Sequence, residues 1–236
     1  MGRDTGRVRN GGNAWAAHAV RLVSVLGLVL VMATACTSDS RGRTCPGSGW
    51  PDLSHRDVAS PELVERKLHC ANLEESVLDE QILHKVKLSR ANLHKASLSH
   101  TLVSRADLSH TDLREANLGG ATLQRVDLTG ADLAGAYLND EATLTSVGLR
   151  RATLREANLE GATIRRSDLA GADLRGADLS GASISNSTLR GARLDDADLD
   201  DTTWSNVVCP DGRKSSGNPE SCADHLTPRG STGQGR

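Results

Sequence analysis

The sequence predicts an all-β solenoid, built from short extended pieces and corners wound so that the same few positions always face inward. Three observations predict it. An apolar residue returns every five positions from Leu73 to Trp204. A small residue, most often Ala, stands two places before it, as in Ala131-Asp-Leu-Ala-Gly and Ala172-Asp-Leu-Arg-Gly. The chain of 236 residues has no Phe and one Tyr, so a core must be filled by aliphatic side chains of nearly one size.

The rhythm is long. The centres run from Leu73 to Leu138, and after one inserted residue they resume at Leu144 and continue to Trp204, making 27 units. A five-residue step turns an α-helix by about 140°, which would smear the leucines around it. In a straight strand an odd step would flip the leucine to the other face each time. Within one unit, however, Ala and Leu are two apart and point the same way when extended. A short extended piece followed by a corner satisfies both. The positions before each centre accept only small replacements, such as Ser76, Thr101, Thr111, Val126, Val147, Ser167, Ser187 and Thr202, with Gln81 as the exception.

Over residues 71–204 the pattern resembles the pentapeptide-repeat family, whose motif is A(D/N)LXX. The resemblance implies a right-handed quadrilateral β-helix of about seven coils with short capping segments. At roughly 4.8 Å per coil that is a rod about 30 Å long. Burying each Leu contributes roughly 1.5–3 kcal/mol, largely offset by backbone ordering. Stability is then a sum of neighbour terms, and the ends need caps.

Residues 1–35 read as a signal peptide. Arg3, Arg7 and Arg9 precede an apolar run of 14 from Leu22 to Ala35, the length of a signal core and too short to span a bilayer. Ala33-Thr34-Ala35 before Cys36 resembles the lipobox of bacterial lipoproteins, with Ala33 where Leu is usual, and implies lipidation of Cys36. Ordinary secretion after cleavage near Ala35 is the alternative. The chain is thus expected to be exported and held by lipid at the outer surface of the cell membrane, or else secreted.

The five cysteines agree with export. If Cys36 is lipidated, four remain, two beyond each end of the repeat. Pairing neighbours gives Cys45–Cys70 and Cys209–Cys222. The two other pairings would join opposite ends of a rod. Residues 36–62 read as a tether and N-terminal cap, residues 63–208 as the coil, and residues 209–236 as a disulfide-closed cap with a disordered tail. Ser60 to Leu68 reads as a short capping helix with Ser60 as N-cap, or as a degenerate first coil kept in register by Leu63 and Leu68. Asn139-Asp140-Glu141 carries the inserted residue and reads as a bulged corner. Cys209-Pro-Asp-Gly, Cys222 and His225-Leu226 resemble an ending of exported actinobacterial repeat proteins.

With four sides, each recurs every fourth unit. The side of Leu78 gathers Asp79, Glu80, Asp140, Glu141, Glu160, Asp178, Asp198, Asp200 and Asp201, without Lys or Arg. The next side, of Leu83, gathers Lys85, Arg105, Arg125, Arg165 and Arg166, without Asp or Glu. The side of Leu88 is mixed and mildly basic, and that of Leu73 carries both signs. The near-neutral net charge of −2 therefore hides two adjacent sides of opposite sign, either of them a candidate docking face.

Catalytic patterns are missing. His84, His94, His100 and His110 fall on four different sides and cannot converge on one metal. No phosphate-binding glycine loop, HExxH or nucleophile elbow occurs. The expected role is a non-catalytic envelope scaffold or interaction module. It needs no cofactor, and its partner is an unidentified protein or envelope polymer rather than nucleic acid. The resemblance also implies an alternative, because the family includes cytosolic proteins that resemble B-DNA and protect DNA gyrase from quinolones.

Overall fold

A computed structural model describes Cys45, residues 49–59, Leu63, residues 68–215 and Cys222. All belong to one compact unit, Ala33–Arg236. Residues 1–35, Cys36, most of the Ser60–Leu68 segment and the tail after residue 215 lie outside the described residues, Cys222 excepted.

Seven three-residue strands form one side: β1 (Ile82–His84), β2 (Leu102–Ser104), β3 (Thr122–Gln124), β4 (Thr143–Thr145), β5 (Thr163–Arg165), β6 (Ser183–Ser185) and β7 (Thr203–Ser205). They pair in chain order, all parallel. The other three sides carry single-residue bridges in the same order, as in Asn72–Asn92–Asp112, Val77–Ser97–Asn117 and Lys87–Asp107–Asp127. The chain is therefore a four-sided parallel β-solenoid. Six turns separate β1 from β7, slightly fewer than the seven coils expected from the centres. The stack extends past both strands, through Asp52–Asn72 and Asp57–Val77 at one end and Thr188–Val208 at the other. Leu53 and Val58 are already core residues, ten and five positions ahead of the boundary expected at residue 63. The motif there is too degenerate to read, because only the centres survive.

The interior is two stacked kinds of column. Every centre from Leu73 to Leu194 is buried, and Ala or a small replacement fills the space beside it. Buried hydroxyls in that second column bond to backbone, as Ser76 Oγ donates to the Leu73 carbonyl at 2.7 Å and Thr101 Oγ1 to that of Leu78 at 3.0 Å. Gln81 is only partly buried and turns its amide toward the Asp79 carbonyl.

Corners follow one rule. The residue two places after every centre from Leu73 to Trp204 has a positive φ, whether Gly or not. At three of the four corners the amide of the next residue closes onto the centre's carbonyl, as in Ala71 to Leu68 and Ala96 to Leu93. At the corner after the strands no such bond occurs among the described residues, and Ser167 and Ser187 hydroxyls instead accept the Val147 and Ser167 amides. The inserted residue is absorbed at one corner. Asp140 and Glu141 both have positive φ, and the closing bond shifts to Ala142–Asn139. Partners are 21 apart across that coil, as Leu123 with Leu144, and 20 apart again at Leu144 with Ile164.

Disulfides Cys45–Cys70 and Cys209–Cys222 join neighbours at each end. Cys209 takes the place of the next centre, and Val207 takes that of its small partner; both are fully buried. The chain then doubles back, with Lys214 antiparallel to Val208, and covers that part of the last edge.

Candidate interaction surface

The second motif position separates the sides. On the sides of Leu73, Leu78 and Leu88 it is often Asp or Asn. Its side-chain oxygen accepts the amide two residues on, as in Asn92 to His94 at 3.1 Å, Asp127 to Thr129 at 2.9 Å and Asp178 to Ser180 at 2.9 Å. This Asx bond holds the backbone in a turn. On the strand side the same position holds Ile82, Leu102, Thr122, Thr143, Thr163, Ser183 and Thr203, mostly β-branched and without a carboxylate. The backbone there stays extended. The result is one flat strand side with outward hydroxyls and three turn-rich sides.

The charged residues two places after a centre, Glu80, Lys85, Arg105, Arg125, Asp140, Arg166 and Asp201 among them, stand at corners between sides. Lys85, Arg105, Arg125 and Arg166 stand at the corner after the strands, and Arg165 at the end of β5. None has an ion pair among the described residues.

The acidic side is less uniform than its composition. Asp79 accepts from Ser97 Oγ at 2.6 Å and from the Ser99 amide at 2.8 Å, while Asp178 and Asp198 cap their own turns. The outward carboxylates Glu80, Asp140, Glu141, Glu160, Asp200 and Asp201 fall in four coils, Asp140 with Glu141 and Asp200 with Asp201 sharing one each, and His100 and Gly120 stand between Glu80 and Asp140. They do not make one continuous acidic surface.

On the Leu73 side the charges are matched. Arg114 grips Asp112 at 2.7 and 2.5 Å, and Arg175 grips Asp173 at 2.7 and 2.6 Å. The hydrogen bond from Arg175 holds the Asp173 carboxyl below its ordinary range, against the opposing effect of partial burial. Asp52 is lowered in the same way, chiefly by the Ser54 hydroxyl. Ala134 and Gly135 leave a depression of about 740 Å³ between Arg114 and Arg155. Arg155 lies 3.8 Å from Asp173 and Arg114 3.9 Å from Asp132.

The four histidines sit apart. His84 meets Ser104, His94 lies between Glu74 and Glu115, and His100 and His110 pack over Gly120 and Gly130. No group of His, Cys, Asp or Glu among the described residues could hold a metal ion, and no helix among them is long and apolar enough to cross a membrane.

The family profile for pentapeptide repeats matches residues 67–105, 104–140, 142–181 and 167–205, in 8 copies, more than half of the chain. Among solved structures the chain is similar to HetL, a pentapeptide repeat protein involved in heterocyst differentiation regulation from the cyanobacterium Nostoc sp. strain PCC 7120. The identity is 31%, over 61% of this chain and 77% of that one, with a TM-score of 0.36. It is also similar to trypsin-treated QnrB1, a plasmid-mediated fluoroquinolone resistance protein, at 19% identity over 63% and 89% of the two chains, TM-score 0.25. A pentapeptide repeat protein of the Arabidopsis thaliana thylakoid lumen matches at 27% identity over 38% and 62%, TM-score 0.21. No curated protein matches.

Proposed function

The chain belongs to the pentapeptide-repeat family, and from that premise we propose that it is a non-catalytic, exported scaffold of the cell envelope that works by presenting flat charged sides to a partner. The observation that carries the reading is the segregation of charge. One side has cations and no carboxylate, its neighbour has carboxylates and no cation, and the strand-side cations have no ion pair among the described residues. A solvated, uncompensated array raises the association rate of an oppositely charged partner. The polar groups elsewhere are used in turn caps and ladders that repeat with the coil, an arrangement suited to display rather than to convergence on one substrate.

Export is proposed from residues 1–35 and from the cysteines, since structural disulfides persist in oxidising compartments. Fractionation of cells carrying the full chain and its Cys36→Ala variant tests it. The proposal expects membrane-bound wild type and a released variant. Reduced protein in the cytosol in both cases would contradict it. Capture of envelope material by the full chain should fall steeply as salt rises, and salt-independent capture would argue against the charged sides. The broken acidic surface disfavours DNA mimicry, so the chain is expected to leave gyrase supercoiling and its quinolone inhibition unchanged.

A further inference from the structure

We infer that the strand side and the corner after it form a binding strip for a flexible, base-free phosphodiester polymer lying along the coil axis. The inference rests on the display role proposed above and names its partner.

The corner column reads Lys85, Arg105, Arg125, Ser146, Arg166, Asn186 and Asn206, one side chain per coil and all at positive φ. The shared backbone geometry starts these side chains from equivalent points, about 4.8 Å apart along the axis. From Lys85 to Arg166 is four coil steps, about 19 Å on that spacing. The cations in this column have no ion pair among the described residues, as is true of Lys87, Arg90, Arg151 and Arg190 on the side of Leu88, but only here do they stand beside a side without carboxylates; Arg114, Arg150, Arg155, Arg175 and Arg193 each lie near a carboxylate.

The surroundings favour an anion. The strand side carries no Asp or Glu, and Thr145 stands in register with Arg165, while Ser104 beside Arg105 is shared with His84 and Thr143 donates to the Glu141 carbonyl. The carboxylates just past the corner are turned to their own backbone, with Asp107 accepting from the Ser109 amide, Asp127 from Thr129 and Asp168 from Ala170. The strip is also unbroken. The 21-residue step is taken up at the opposite edge of the side, by Asp140 and Glu141, and the strands remain in register throughout.

Phosphodiester chemistry suits this pairing of groups. Its two unbridged oxygens point apart, so one can take a guanidinium and the other a neighbouring hydroxyl. A guanidinium fork can also take both of them at once, and each unit of the polymer carries a single negative charge to match one cation per coil. A flexible single chain can follow a line of cations one coil apart. The depression at Ala134 and Gly135 is a weaker candidate, because its cations already face Asp132 and Asp173.

The test uses the full chain with synthetic poly(glycerol phosphate) of graded length, and poly-glutamate and duplex DNA as comparison arms. Asn already stands at positive φ in this column, at Asn186 and Asn206, so Arg105→Asn, Arg125→Asn and Arg166→Asn remove charge without forcing the corner. The control removes three cations from other corners with positive φ, by Arg90→Asn, Lys95→Asn and Arg151→Asn. Unchanged thermal midpoints establish that both triple variants are folded. Affinity should rise with polymer length and level off once about 19 Å is spanned. The strip variant should bind at least tenfold more weakly, and the slope of log affinity against log salt should shrink by about 2, at roughly 0.7 per lost contact. The control should stay within twofold of wild type. Equal loss in both triple variants, or no binding at low salt, would overturn the inference, and so would tighter binding of poly-glutamate or of duplex DNA. If the polymer fails to bind while salt-dependent capture of envelope material persists, the partner is wrong and the display role stands. If the wild type is cytosolic, the display role itself fails.

Discussion

Ser167 is a residue whose small size disguises its work. Its hydroxyl accepts the Val147 amide at 3.1 Å and donates toward the Leu144 and Arg165 carbonyls, at the corner that has no closing backbone bond. Replacing it by Ala leaves a buried amide without an acceptor, a loss of about 1–3 kcal/mol. Ser76 looks equivalent in the sequence, but its hydroxyl only adds a second donor to a carbonyl already bonded by its own amide. Ser76→Ala should change stability by less than about 0.5 kcal/mol. Urea midpoints of the two variants check the contrast, and equal effects would sink it. Asp173 gives the pH counterpart. Its folded pKa is depressed by Arg175, so its contribution is full above the unfolded carboxylate pKa and is lost as pH falls through the lower folded value. Asp173→Asn keeps an oxygen for the turn and removes the charge. The variant should therefore lose less stability than wild type between neutral pH and about pH 3, and parallel acid profiles would contradict this.

At the scale of the corner, the inserted residue makes the clearest prediction. Two successive non-glycine residues, Asp140 and Glu141, sit in left-handed backbone, where one such residue suffices at every other corner from Leu73 onward. Deleting Glu141 restores the five-residue step between Leu138 and the next centre and should stabilise the coil by about 1 kcal/mol, the cost of one non-glycine residue in that region. A deletion that unfolds the chain would show that the bulge is required. Much of this scale was legible beforehand. The period of five required corners, and Ala and Leu two apart required an extended piece between them. The division into three turn-rich sides and one strand side was not read, although its signal was present: Asp and Asn recur before the centre on three sides, and Thr or Ser replaces them on the fourth. Side chains that bond their own backbone look like solvated surface in a linear sequence, and Asp178 and Asp198 were counted as display for that reason. Gly120 was also opaque, since only the fold puts the His100 ring where its Cβ would stand.

For the whole coil, the centres fixed the stack and the cysteines its two clasps, while Leu53 and Val58 extend it beyond the recognisable motif. The charged sides were legible by position, yet their availability was not, because it depends on which cations find carboxylates across coils. Those properties follow only if the chain is wound with four sides and a five-residue beat, and amide hydrogen exchange tests that winding most directly. On the three turn-rich sides the amide of each centre from Leu73 to Leu189 bonds to a neighbouring coil, and so do amides just before a centre, as Leu93 to Asp112 and Asn92 to Ala71. The amide after it, as at His94, reaches only a side chain. Exchange from residue 73 to residue 189 should therefore show slow amides interrupted once in every five positions, one place after each centre on those sides. Uniform protection, or protection with a helical period of 3.6, would contradict the coil and everything argued from its sides.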